Sequence, residues 1–176
     1  MANNRSSSKS VFQAFIFGSA ASGKNSLANV LESAGPSPLS PQSLSFRSLF
    51  LPWKGSKIKF LLYIVASTPS FSQLPSVAFQ RSAGGLLVFD LTNAHSFERL
   101  SGYLDLLHKY CKDKPVILVG NKKDLTRVVP QEIAQAFASK HGLPYFETSA
   151  KTGENVVAVF TRLAELILNA GVKPGD

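Results

Sequence analysis

The chain has 176 residues, 44% of them hydrophobic and 17% charged, which is enough sequence for one domain with a sizeable core. That balance is too apolar for a disordered chain, and no run of 18 apolar residues is present to span a membrane. The formal charge is +8, and residues 1–60 hold seven bases against one acid, so +6 of it sits there; such a surface suits acidic partners, but with few interleaved aromatics and no nucleic-acid signature it predicts no nucleic-acid binding.

The opening MANNRSSSKS is polar and lacks the apolar stretch of a secretory signal, so we expect a flexible tail over 1–10, one domain over 11–170 and a short tail over 171–176. Residues 11–17 are an apolar run ending at Gly18, the pattern of a buried strand entering a glycine-marked loop. Residues 24–33 set Leu27, Val30 and Leu31 at helical spacing, and three prolines within 35–41 then force a loop. Two β-rich runs, 45–51 and 58–65, flank Pro52-Trp53-Lys54-Gly55-Ser56, a hairpin signal. Residues 86–89 and 116–119 are further buried strands, followed by Asp90 and Gly120. Between them, 96–111 repeats Phe97, Leu100, Leu104, Leu107 and Tyr110, an amphipathic helix. Pro130 at a first helical position and Gly142 past the end bracket a helix over 130–141. Tyr145 and Phe146 mark a short strand, and 156–168 is the closing helix. Strands alternating with helices predict an α/β fold with a mostly parallel sheet, covered on both faces, that binds ligands beyond the C-terminal strand ends.

The first motif sits at such an end. Gly18-Ser19-Ala20-Ala21-Ser22-Gly23-Lys24 fits a phosphate-binding loop, in which backbone N–H groups curl round phosphate oxygens and a lysine charge meets the outer phosphates. The next position should be a hydroxyl that binds magnesium, but it is Asn25, with Ser26 one place late. Asn121-Lys122-Lys123-Asp124 follows a second strand and Glu147-Thr148-Ser149-Ala150-Lys151 a third. An Asp carboxylate can accept both the N1–H and the exocyclic amine of guanine, a donor pair that adenine lacks. His95, His108 and His141 are scattered and predict no metal site, and the single cysteine, Cys111, excludes an internal disulfide and points to a reducing compartment.

With these motifs in this order, the chain resembles the Ras-superfamily small GTPases, and most closely the Rab branch, over residues 11–168. Leu87-Val88-Phe89-Asp90-Leu91-Thr92-Asn93 with Ser96-Phe97 carries the likeness as strongly as the two later motifs. The resemblance implies a P-loop G domain with a mostly parallel six-stranded sheet and helices on both faces. It implies that Lys24 holds phosphates within a loop of Gly18, Ala20, Ala21, Ser22, Gly23, Asn25 and Ser26. Asn121 and Asp124 would read guanine, Lys122 would pack along the base, and Ser149, Ala150 and Lys151 would complete its pocket.

The departures gather where magnesium and hydrolysis belong. Aligned on Phe46, Gly55, Phe71 and Asp90, the family's Asp-x-x-Gly-Gln falls on Ile64-Val65-Ala66-Ser67-Thr68, and its switch threonine on Pro41. No Asp or Glu occurs from Ser33 to Phe89, so no shifted alignment restores the carboxylate. Ser26 or Ser43 remain as substitute hydroxyls. We therefore expect a guanine-nucleotide-binding protein, with GTP or GDP as ligand, no ordinary magnesium ligand set, no catalytic residue, little hydrolysis and action through protein partners. Alternatives are a nucleotide-free interaction subunit and an ordinary cycling GTPase. The basic hairpin of Arg47, Trp53, Lys54 and Lys57 is the expected partner surface. The terminal segment 171–176 has no cysteine to prenylate, so the expected location is cytoplasmic, with any membrane or organelle recruitment left to a partner.

Overall fold

The computed structural model describes residues 10–31, 44–66 and 76–173. The tail before residue 10, the proline-rich loop, Pro41, Ser43, Ser67, Thr68, Phe71 and the segment 174–176 lie outside the described residues. Six strands, β1 (Ser10–Gly18), β2 (Leu44–Trp53), β3 (Ser56–Val65), β4 (Gly84–Asp90), β5 (Val116–Asn121) and β6 (Tyr145–Glu147), form one sheet in the order β2-β3-β1-β4-β5-β6. Only β2 runs antiparallel to its neighbour; the other pairings are parallel. The helices are α1 (Lys24–Val30), α2 (Ser76–Arg81), α3 (Ala94–Glu98), α4 (Leu100–Tyr110), α5 (Gln131–Lys140) and α6 (Val156–Asn169).

The buried runs read as continuous apolar sequence because both sheet faces are covered. Alternate residues of β1 divide between two cores. Phe12, Ala14 and Ile16 join Leu27 and Ala28 of α1 and Val159, Phe160 and Leu163 of α6. Phe15 and Phe17 join Phe79 of α2 and Tyr103, Leu104 and Leu107 of α4. Phe17 meets Phe79 and Tyr103 edge-on at ring distances of 5.2 and 4.8 Å, the favoured aromatic geometry.

Three local readings need correction. The hairpin turn is only Lys54-Gly55, and β2 extends through Pro52 and Trp53; β2 is an edge strand, where a residue without an N–H is tolerated. The helix expected over 96–111 is two helices. The turn of α3 is fixed from Asn93, whose side chain accepts from His95 N at 3.0 Å, and α4 begins after Arg99, with the bonds on either side stretched to 3.4 and 3.3 Å. Pro130 is the cap of α5 rather than its first residue.

Register brings Asp90 beside Asn121, and Gly120 beside Glu147. With Gly18 ending β1, these C-terminal strand ends make one rim.

Candidate functional site

The loop expected to hold phosphate leaves β1 at Gly18, where φ is +139° and any Cβ would overlap the carbonyl oxygen of Val88 on β4. Gly23 closes the loop at φ +87°, and there a Cβ would strike the amide nitrogen of Asn121. Both motif glycines are thus set by close approach as well as by dihedral angle. Ala21 holds a left-handed φ of +56° without that freedom. Ser22 is buried and donates its hydroxyl to Ser19 O at 2.9 Å, while Ser19 Oγ donates to Ser96 O at 3.0 Å and moors the loop to α3.

Lys24 is buried, and its ammonium donates to Gly18 O at 3.0 Å and Ser19 O at 2.6 Å. Burial pulls its pKa down to about 8, since the charged form is the one that loses water. Asn25 and Ser26 follow on the first turn of α1, both exposed.

The second half of the site is organised by Asn121, which is 1% exposed. Its amide donates to Ser22 O at 2.8 Å, and its carbonyl oxygen accepts from Thr148 Oγ1 and Ala150 N, both at 3.1 Å. One side chain therefore ties the phosphate loop, β5 and the segment after β6 together. Ser149 donates to Asp124 Oδ1 at 2.6 Å and accepts from Thr152 N, so the carboxylate is oriented by its neighbour. Lys122, at φ +70°, reaches Asp90 Oδ2 at 2.6 Å. Burial raises the Asp90 carboxyl, but the Lys122 ammonium and the two Thr92 donors outweigh that and hold it below the usual range.

Between these groups lies a cavity of about 480 Å³ lined by Gly23, Ser26, Asn121, Lys122, Asp124, Leu125, Ala150 and Lys151. Seven of those eight are residues singled out in the sequence. Ser149 stands behind Asp124, and Gly18, Ala20, Ala21, Ser22, Lys24 and Asn25 flank the cavity rather than line it. Leu125, Asp90 and Thr92 were not assigned a role; the Asp-x-Thr step just after a buried strand was the available signal. The segment after β6 is secured from its other side by Glu147, which takes a paired contact from Arg127 at 3.1 and 2.5 Å and a hydrogen bond from Tyr145 at 2.8 Å. Burial raises the Glu147 carboxyl, and Arg127 and Tyr145 bring it below its ordinary value.

Among the described residues, two positions fit magnesium poorly. Ile64, where a carboxylate would hold the metal's waters, is 3% exposed and belongs to the apolar cluster of Ile16, Leu27 and Ala28. Asn25 offers an amide in place of a hydroxyl. Among the described residues no three His, Cys, Asp or Glu side chains gather as a metal site.

The family model described as the Ras family matches residues 13–169. The chain belongs to the Ras family. Within that family its sequence is Rab-like: human Ras-related protein Rab-27A is 40% identical over 119 residues, covering 65% of this chain and 54% of the relative. The mouse Rab-27A is 39% identical over the same span length, and human Ras-related protein Rab-26 is 33% identical over 138 residues, 77% of this chain and 54% of that protein. The chain therefore spans about half the length of these curated relatives. Members of this family generally bind GTP or GDP with magnesium. No helix among the described residues is long and apolar enough to cross a membrane.

Proposed function

We propose that this Rab-like chain binds guanine nucleotide through an intact base pocket, hydrolyses GTP little or not at all, and acts through protein partners without a magnesium-driven switch. The observation that carries this reading is the contrast between the two halves of the site. On the base side, Asn121, Asp124, Ser149 and Ala150 are already hydrogen-bonded into a cavity with a carboxylate at its edge. On the metal side, a buried isoleucine stands where a carboxylate is needed, and an exposed asparagine amide where a hydroxyl is. Gly18, Ala20, Ala21, Ser22, Gly23, Lys24, Asn25 and Ser26 would carry the phosphates, and Asn121, Lys122, Asp124, Ser149, Ala150 and Lys151 the base. The exposed Lys54 and Lys57, with Trp53 under the Lys54 ammonium at 5.5 Å and Arg47 on the same hairpin, would meet an acidic partner in the cytoplasm.

A second reading, a nucleotide-free interaction subunit, is favoured by one detail: the Lys24 ammonium is satisfied by carbonyls of its own loop. Denaturing the purified protein and chromatographing what it releases separates the two. Guanine nucleotide near one per chain supports the first reading and an empty protein the second. Adding EDTA should leave the affinity for GDP nearly unchanged; a large loss together with brisk turnover would restore the ordinary switch.

A further inference from the structure

Asp90 is 5% exposed, and none of its polar atoms is left to chance. Its Oδ1 accepts from Thr92 N at 2.8 Å and Thr92 Oγ1 at 2.7 Å, and its Oδ2 takes the Lys122 ammonium at 2.6 Å. Its own N–H donates to Ser96 Oγ at 2.9 Å, and the Ser96 hydroxyl lies 3.0 Å from Asp90 O and 2.8 Å from Asn93 O. The same Ser96 accepts, through its carbonyl, the Ser19 hydroxyl of the phosphate loop. A charged group so fully held is a fixed point on the rim, and among the described residues the charge it holds is that of Lys122, which lines the base cavity.

The geometry points to Asp90 as a positioning residue for the base. By anchoring the Lys122 ammonium, it lays the lysine stem along one wall of the cavity, and through Ser96 and Ser19 it fixes that wall relative to the phosphate loop. Lys122 otherwise carries four rotatable bonds, and ordering such a chain afresh at each binding event would oppose the ligand. This role rests on the guanine-binding reading above. One charge-assisted hydrogen bond is worth roughly ten- to a hundredfold in an equilibrium constant, so its loss is measurable.

The test is a double-variant cycle on GDP affinity, followed with a fluorescent GDP analogue in full-length protein. Asp90→Asn keeps the size and an acceptor for Thr92 but loses the charge; it should weaken GDP at least about tenfold. Lys122→Met keeps the apolar stem without the ammonium, and in that background Asp90→Asn should cause no further loss. A residue that served the fold alone would weaken GDP equally in both backgrounds, and that result overturns the role. Should Asp90→Asn fail to fold, Thr92→Val removes one donor to the same carboxylate, and should weaken GDP by a smaller factor in wild type and not in Lys122→Met. Wild-type protein that binds GDP while Asp90→Asn binds it equally well overturns the positioning role alone. Wild-type protein that binds no guanine nucleotide overturns the functional reading and this role with it.

Discussion

Replacing Asn121 by Ala removes three hydrogen bonds at once, to Ser22 O at 2.8 Å and from Thr148 Oγ1 and Ala150 N at 3.1 Å. At about 1 kcal/mol net per bond, the nucleotide-free domain should lose about 3 kcal/mol. The site is buried, so water does not readily take the vacated positions. In a domain of this size that loss lowers Tm by about 6–12 °C, read by circular dichroism without ligand. GDP at about 100 times its Kd should then stabilise wild type by about 2.7 kcal/mol and the variant far less, since the same amide borders the cavity proposed for the base. Asn121→Asp gives the sign of the interaction. A carboxylate facing the Ser22 carbonyl is disfavoured, so its folded-state pKa is raised, the folded form binds the extra proton, and stability should recover as pH falls toward about 5. A Tm change under about 2 °C in Asn121→Ala would mean that this side chain does not tie the two halves together.

Lys24 predicts a pH dependence in two directions. Its pKa is about 8 in the folded chain against 10.5 ordinarily, so phosphate affinity should fall as pH rises through about 8, while the nucleotide-free fold gains stability between about 8 and 10.5, where the unfolded chain binds more protons. Titrating GDP affinity and the urea midpoint over that range checks both; an affinity flat across pH 8 would mean the charged form is not what holds the ligand. Ala21→Gly relieves a left-handed backbone worth about 1–2 kcal/mol and gives back about 0.4–1 kcal/mol in unfolded-chain entropy, so the urea midpoint should rise slightly rather than fall. Asp124→Asn should shift nucleotide preference from guanine toward xanthine in competition binding, and equal competition by ATP against wild type would remove the guanine assignment.

Much of the architecture is legible because its signals are local. The apolar runs that become β1, β4 and β5 need no partner to be seen, and the glycines and lysine of the phosphate loop occupy fixed offsets. Asn121 and Asp124 were legible as a spaced pair, but what makes Asn121 matter was not, since its bonds to Ser22 and Ala150 cross 99 and 29 residues of chain. The Asp90–Lys122 pair was hidden for the same reason: only the β4–β5 register sets the two strand ends side by side. Pro52 argues against a strand when read alone, and only the sheet order shows that β2 lies at an edge. The split at Arg99 is invisible to periodicity, because Phe97 and Leu100 keep helical spacing across a stretched part of the hydrogen-bond ladder.

Ile64 also constrains how this chain could change. Placing an aspartate at that position in a single step would leave an ionised carboxylate among Ile16, Leu27 and Ala28, at a cost of several kcal/mol from a domain whose whole margin is of order 5–15 kcal/mol. The carboxylate would sooner take up a proton than a metal's waters, so that single step would lose stability and gain no ligand. On the proposed reading, placing a metal's carboxylate at this position therefore has a compulsory order, in which the apolar neighbours of residue 64 are loosened before the acid arrives.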